Sequence, residues 1–254
     1  MASSADRMAA GAGFGALAKA DELKKRLWFT VGALIIYRLG TYLPLPGIDP
    51  GALADIFSQQ SSGILGMFDM FSGGALSRMT IFALNIMPYI TASIIMQLMT
   101  AIVPSLEALK KDGEAGRKMI NQYTRYLTVL LATVQGYGIA VGLESASGVV
   151  DDPGLFFRVT TVVTLVGGTL FLMWLGEQIT SRGVGNGISL IIFAGIVANL
   201  PTALAGTLEL GRTGALSSLL IVLLFVMAAA VIAFIVFIER SVRKILVQYP
   251  KRQH

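Results

Sequence analysis

The sequence contains no cysteine and a single histidine, the terminal His254. Without cysteine there is no disulfide, no thiolate nucleophile and no thiolate-bound metal, and nothing to read about redox compartment. Without an internal imidazole, general base chemistry and His-rich metal sites lose their usual residue. Charge is also sparse: Asp, Glu, Lys and Arg make up 14% of the 254 residues, against roughly 25% in soluble domains. Apolar residues make up 54%, more than a soluble fold of this length hides from water. Disordered, collagenous and disulfide-scaffold classes are excluded, and lipid is indicated as the solvent.

What the sequence does have is long uncharged runs. Residues 79–106, 126–143, 159–176, 183–208 and 213–238 carry no charge, and each run has at least 18 residues. That is enough to cross roughly 30 Å of hydrocarbon as a helix. A sixth run, 27–43, is interrupted only by Arg38, which lies near one end and is expected to reach the headgroups. The expected fold is therefore all-α, a polytopic membrane protein with six transmembrane helices. No cleaved leader is expected, because Arg7, Lys19, Lys24, Lys25 and Arg26 precede the first run without a separate apolar core.

The loops orient these spans. With the amino terminus in the cytoplasm, the inner segments hold sixteen Lys and Arg: five in 1–26, five in 107–125, Arg182, and five in 239–254. The outer segments hold three, Arg78, Arg158 and Arg212. This is the positive-inside bias. It accounts for the net charge of +5 without nucleic-acid binding, and it predicts that both termini are cytosolic.

Enzyme motifs fail. Gly183-Val184-Gly185-Asn186-Gly187 is glycine-rich, but no Lys-Ser/Thr follows and no strand precedes it, so it is not a phosphate loop. Gly113-Glu114-Ala115-Gly116-Arg117-Lys118 lacks the spacing of one. Intramembrane serine proteolysis lacks a base, and aspartate catalysis needs a pair where Asp69 stands alone. No catalytic residue, cofactor or metal is expected. Asn85, Gln97 and Gln135 read as interhelical hydrogen-bonding amides. Asn186 fits that role or an unwound helix start. Gly138 with Gly142, and Gly167-Gly168, predict close helix contacts, and Pro88 predicts a kink in the second span. Ile86 with Ile90, and Ile188 with Ile192, stand at helical spacing, which reads as core or lipid contact and singles out none of them.

Residues 44–78 are an outer segment that is not polar. It opens on the turn signal Pro44-Leu45-Pro46-Gly47. Met67, Phe68, Met70 and Phe71 predict a short helix ending at Gly73-Gly74. Composition leaves open a helix lying flat at the interface and a half-helix held against protein or in a water-filled cavity.

Longer strings are more specific. They are Met70-Phe71-Ser72-Gly73-Gly74-Ala75-Leu76-Ser77-Arg78, Ile86-Met87-Pro88-Tyr89-Ile90-Thr91-Ala92-Ser93-Ile94-Ile95-Met96-Gln97-Leu98, Asn121-Gln122-Tyr123-Thr124-Arg125-Tyr126, Met173-Trp174-Leu175-Gly176-Glu177-Gln178-Ile179-Thr180, Arg182-Gly183-Val184-Gly185-Asn186-Gly187-Ile188-Ser189, and Glu239-Arg240. Together they resemble the SecY family of the bacterial type, the pore subunits of the Sec protein-conducting channel, from about residue 19 to the end. The resemblance implies two inverted halves of five spans each, of which this sequence carries the first half over 27–208. A cytosolic amphipathic segment, 1–26, precedes it, and 209–254 hold span six and the start of a cytosolic basic loop.

By the same resemblance, about 63–75 form the plug, with Ile64, Leu65, Met67, Phe68, Met70 and Phe71. Ile86, Ile90, Ile188 and Ile192 fall in the hydrophobic pore ring. Thr91 and Gln135 face the lateral gate, one side of which is made by spans two and three. Arg240, Arg243, Lys244, Lys251 and Arg252 lie in the loop that docks the ribosome or the SecA motor. The implied function is a protein-conducting channel subunit in the cell inner membrane, passing secretory polypeptides across and membrane proteins sideways into lipid. The implied partners are the SecE and SecG subunits, the SecA motor ATPase, the ribosome with its RNA, secretory precursors with their signal sequences, and membrane lipids. The family's spans seven to ten, with the other gate face, fall beyond residue 254. An inverted-repeat small-molecule transporter is the alternative. It calls for a saturable site and coupling-ion ligands near the midplane, where this sequence offers no acid–base ladder. A structural assembly factor is a third, weaker reading.

Overall fold

The computed structural model describes residues 21–241 apart from 50, 54, 56–68, 71, 147 and 215. The chain divides into two compact units, 1–199 and 200–254. The first contains α1 (Asp21–Gly40), α2 (Met87–Ile102), α3 (Pro104–Lys111), α4 (Glu114–Ser145), α5 (Leu155–Arg182) and α6 (Gly187–Ala198). The second contains α7 (Leu200–Arg212) and α8 (Ser218–Arg240). Outside helices, the described residues pair only as isolated bridges, Pro44 with Thr80 and Ile48 with Val150.

Four stretches are long and apolar enough to cross a membrane: Glu114–Ser145, Leu155–Arg182, Gly187–Arg212 and Leu219–Arg240. A fifth is added if α2 and α3, bent by 99° at their junction, count as one span. The six spans read from uncharged runs are thus not reproduced by helix length and apolarity. α1 is helical over 20 residues, but Asp21, Glu22, Lys24, Lys25, Arg26 and Arg38 lie within it. Its acidic first turn and basic last turn complement the helix dipole.

The run 79–106 corrects the expectation of one continuous second span. It turns through residues 81–86 and becomes helical only at Met87. Met79 and Asn85 adopt positive φ, 40° and 49°. The Leu45 amide donates to the Met79 carbonyl at 3.0 Å, and the Ile81 amide donates to the Leu43 carbonyl at 3.0 Å. An absence of charge signals burial, and protein can supply it as well as lipid. Phe82, Ala83 and Ile86 are all buried, and irregular backbone at membrane depth persists only where protein surrounds it. Pro88 consequently lies in the first turn of α2 and does not kink it, since a missing N–H costs nothing there. The break comes at Val103-Pro104, where Val103 is extended, as the residue before a proline prefers.

The glycine expectations are corrected in the same way. Among the described residues a Cβ at Gly138, Gly142 or Gly167 would meet nothing within 4 Å, so these make no close helix contact there. At Gly168 a Cβ would collide with the Ile81 carbonyl. The face of α4 that is buried is a stripe of small residues at every fourth position: Thr124, Thr128, Ala132, Gly136 and Ala140. α5 packs against α4 and buries Phe157, Thr161, Leu165, Gly168 and Leu172. Small residues let the two backbones approach where no hydrophobic effect drives them together.

Thr161 and Thr169 bury hydroxyls that lack a partner among the described residues. A buried unpaired hydroxyl costs about 1–3 kcal/mol. Thr161→Val and Thr169→Val should therefore leave thermal stability in detergent unchanged or raise it. A loss above about 1 kcal/mol in either variant would reveal a missing partner.

The segments around residues 47–49 and 149–151 are laced together. The Asp49 amide donates to Val149 at 2.9 Å, and the Asp151 amide donates to Gly47 at 3.3 Å. Glu144, at the end of α4, accepts from the Gly154 amide at 2.9 Å and from Arg158 Nε at 2.7 Å. Farther along the same two helices, Arg125 within α4 pairs with Glu177 near the end of α5 at 2.6 Å. In the second unit Ser217 caps α8 by accepting from the Leu220 amide at 3.4 Å.

Candidate pore constriction

Ile86 is the residue before α2, and Ile90 lies one turn inside it. Ile188 and Ile192 are on α6. These four, from distant parts of the chain, belong to one apolar cluster built on Ala33, Tyr37, Ala75, Phe82, Leu172, Leu175, Ile179 and Ile191. Their exposures differ. Ile86 is 0% exposed and forms part of the buried cluster, whereas Ile90, Ile188 and Ile192 are partly buried and pack against it.

α6 is held in place by capping. Asn186 Oδ1 accepts from the Ile188 amide at 3.0 Å and from the Ser189 amide at 3.3 Å, so Asn186 is a helix cap. The Gly187 amide donates to Thr180 Oγ1 at 2.9 Å, and the Val184 amide donates to Thr30 Oγ1 at 3.1 Å. A Cβ at Gly187 would collide with the Gly176 carbonyl, so α5 and α6 meet with backbone against backbone.

Beside the cluster lies the turn at Gly73-Gly74, with φ of 66° and 80°. The Gly74 amide donates to the Asp69 carbonyl at 3.0 Å. Asp69 Oδ1 accepts from the Ser77 amide at 2.7 Å, and the Tyr37 hydroxyl donates to the Ser72 carbonyl at 3.5 Å. Arg38, expected at the headgroups, has a protein partner here. Its Nη1 donates to the Gly73 carbonyl at 2.8 Å, a buried backbone acceptor that a guanidinium satisfies with a charge-assisted bond. Among the residues expected in the plug, Met70 is helical and half exposed. Ile64, Leu65, Met67, Phe68 and Phe71 lie outside the described residues.

Thr91 and Gln135 line one cavity of about 450 Å³ between α2 and α4, together with Ser72, Leu76, Asn85 and Gly138. The Thr91 hydroxyl donates back to the Met87 carbonyl at 3.1 Å. Gly138 opens onto this cavity, which is why its small size serves no helix contact. Arg240 ends α8 and is exposed, while Arg243, Lys244, Lys251 and Arg252 lie outside the described residues. Sequence reasoning missed Arg78 and Tyr42, which join Arg38 at the Gly73 turn. The available signal was Arg78, four residues after the Gly73-Gly74 pair; the separation of 35 positions between Arg38 and Gly73 gave none.

The SecY family model matches residues 80–254, more than half of the chain. The chain belongs to the SecY family. It is 59% identical over 235 residues to the protein translocase subunit SecY of Buchnera aphidicola subsp. Acyrthosiphon kondoi, covering 91% of this chain and 66% of that protein. It is 57% identical over 235 residues to the protein translocase subunit SecY of Escherichia coli (strain K12), covering 91% of this chain and 53% of that one. The chain thus spans between half and two thirds of these relatives. In fold it is similar to Sec61 in the canine ribosome-channel complex from the endoplasmic reticulum, with a TM-score of 0.51 at 19% identity, over 74% of this chain and 38% of that one. With its membrane-length apolar helices, this SecY-family chain is a multi-pass membrane protein.

Proposed function

We propose that the chain forms one half of a protein-conducting channel, which moves unfolded secretory polypeptides across the cell inner membrane and releases membrane proteins sideways into lipid. The observation that carries this is the convergence of Ile90, Ile188 and Ile192, from two helices distant in sequence, on one apolar cluster. An aliphatic constriction excludes water and sets a dehydration barrier to ions, yet binds no particular passing side chain. The channel performs no covalent step, so a partner supplies the energy. Ile86 supports the ring from behind, and Thr91 and Gln135 line the gate-side cavity. Residues 63–75 act as the plug. The second half of the channel, SecE and SecG complete the pore. The basic run containing Arg240, Arg243, Lys244, Lys251 and Arg252 docks the ribosome, through its RNA, or the SecA motor ATPase. Secretory precursors with their signal sequences and membrane lipids are the other partners.

The test is protection of a secretory precursor from protease in vesicles holding SecA, ATP and this chain. Protection is expected with a complementary second half and absent without it. Equal protection without any second half would overturn the division of labour. Orientation is tested separately. The bias of sixteen inner against three outer basic residues predicts that a cysteine at Asp112 reacts with an impermeant maleimide from the cytosolic side only. A cysteine at Asp151 should react only from the opposite side, and reversed labelling would invert the topology.

A further inference from the structure

Two guanidinium groups converge on one backbone oxygen. Arg38 Nη1 donates to the Gly73 carbonyl at 2.8 Å, and Arg78 Nη2 donates to the same atom at 3.1 Å. Both lie over the ring of Tyr42, 5.0 Å and 4.5 Å from its centroid. Arg38 Nη2 also donates to the Tyr42 hydroxyl at 3.1 Å. No ion pair among the described residues involves either arginine. Two like charges this close repel, so attraction to acids does not account for the arrangement. The shared carbonyl and the aromatic face offset the repulsion.

The carbonyl is placed where it governs the constriction. Gly73 is pressed between Arg38 and α6: a Cβ there would lie 3.1 Å from Arg38 Nη1 and 3.1 Å from the Gly195 Cα. At Gly74 a Cβ would lie 3.1 Å from Arg78 Nη2. With φ of 66° and 80°, both positions also demand the left-handed backbone that glycine alone adopts freely. One residue before, Ser72 accepts from Tyr37 of the isoleucine cluster. One residue after Gly74, Ala75 is a buried member of that cluster. α1 and the 72–75 turn therefore meet at the Gly73 carbonyl, with α6 lying against the Gly73 Cα.

We infer that Arg38 and Arg78 are positioning residues of the constriction: by holding the Gly73 carbonyl they keep the 72–75 turn seated on the isoleucine cluster and so set the resting ion leak. This rests on the channel reading. Movement of α1 away from the turn breaks the Arg38 bond, while Arg78, five residues after Gly73, holds the same carbonyl from the turn's own segment. Arg38 thereby couples the turn to α1, and Arg78 braces it from the segment that leads to the constriction.

The experiment uses the complete channel, this chain with its complementary half, in vesicles. It measures resting ion efflux, thermal stability and precursor protection. Arg38→Gln with Arg78→Gln should raise resting efflux about tenfold, a shift of about 1.4 kcal/mol in the seated population, with stability and precursor protection retained. Arg78 is exposed, so Arg78→Gln alone tests the same idea should the double variant fail to accumulate, with a smaller rise expected. Arg212→Gln, whose arginine pairs with Glu209 elsewhere, should leave efflux unchanged. Efflux at the parent level in both variants, while deletion of about 63–71 does leak, would overturn the inference. A deletion that neither leaks nor protects precursor would instead overturn the channel reading beneath it. Raised efflux accompanied by an equal fall in melting temperature would overturn a positioning role in favour of general unfolding.

Discussion

Gly168→Ala should destabilise the protein severely, while Gly138→Ala should leave it intact. The two glycines are equivalent in kind, each on a membrane-length helix. At Gly168 a single methyl would enter the space of the Ile81 carbonyl. That carbonyl belongs to the irregular, buried segment between Met79 and Ile86, whose backbone is already tied to Leu43 and Leu45. Neither partner can yield by rotating a side chain, so α5 must move away from it. Forced separation of this kind costs on the order of 3 kcal/mol or more, enough to stop a marginally stable chain from accumulating. At Gly138 a methyl would enter the open cavity shared with Thr91 and Gln135. Loss of backbone freedom in the unfolded chain should there raise stability by about 0.5–1 kcal/mol. Thermal melting of the two variants in detergent checks both. Equal loss in both would mean that α4 uses Gly138 for packing after all.

Ile90→Gly combined with Ile192→Ser should raise resting ion efflux of the complete channel by about tenfold or more, since dewetting of a constriction is lost steeply once polar or empty space enters it. Leu223→Ser on the exposed face of α8 is the control and should not leak. Ile86 behaves differently from its ring companions because it is fully buried. Ile86→Ala should cost about 2–4 kcal/mol of stability, with any leak arising as a consequence of loosened packing. Unchanged efflux in the Ile90 and Ile192 double variant at normal expression would remove these residues from the pore. A leak in Ile86→Ala at full stability would show that Ile86 faces the lumen in the complete channel.

The amino-acid sequence by itself determined the solvent, the helical class and the family. Uncharged runs and sparse charge report on a long chain's surroundings, because a charge in hydrocarbon is costly at almost any position. The long strings around Ser72-Gly73-Gly74 and Arg182–Asn186 are specific enough to place the chain among SecY proteins without coordinates. The Gly73-Gly74 turn was also legible, since left-handed turns are local and their residues declare them, whereas Asn186, read as an interhelical amide or an unwound helix start, proved to be a cap. The tertiary structure decided what pattern cannot hold. Whether residues 79–86 were helix or irregular backbone depended on Leu43, Leu45 and α5 covering them, and those neighbours are remote in sequence. Which glycines carry contacts depended on what lies opposite: the Ile81 carbonyl faces Gly168, and a cavity faces Gly138. The use made of Arg38 likewise depended on a carbonyl 35 positions away. Hydrocarbon, a packed helix and a buried loop all exclude charge alike, so composition registers burial at each site and only three-dimensional contact says what does the burying.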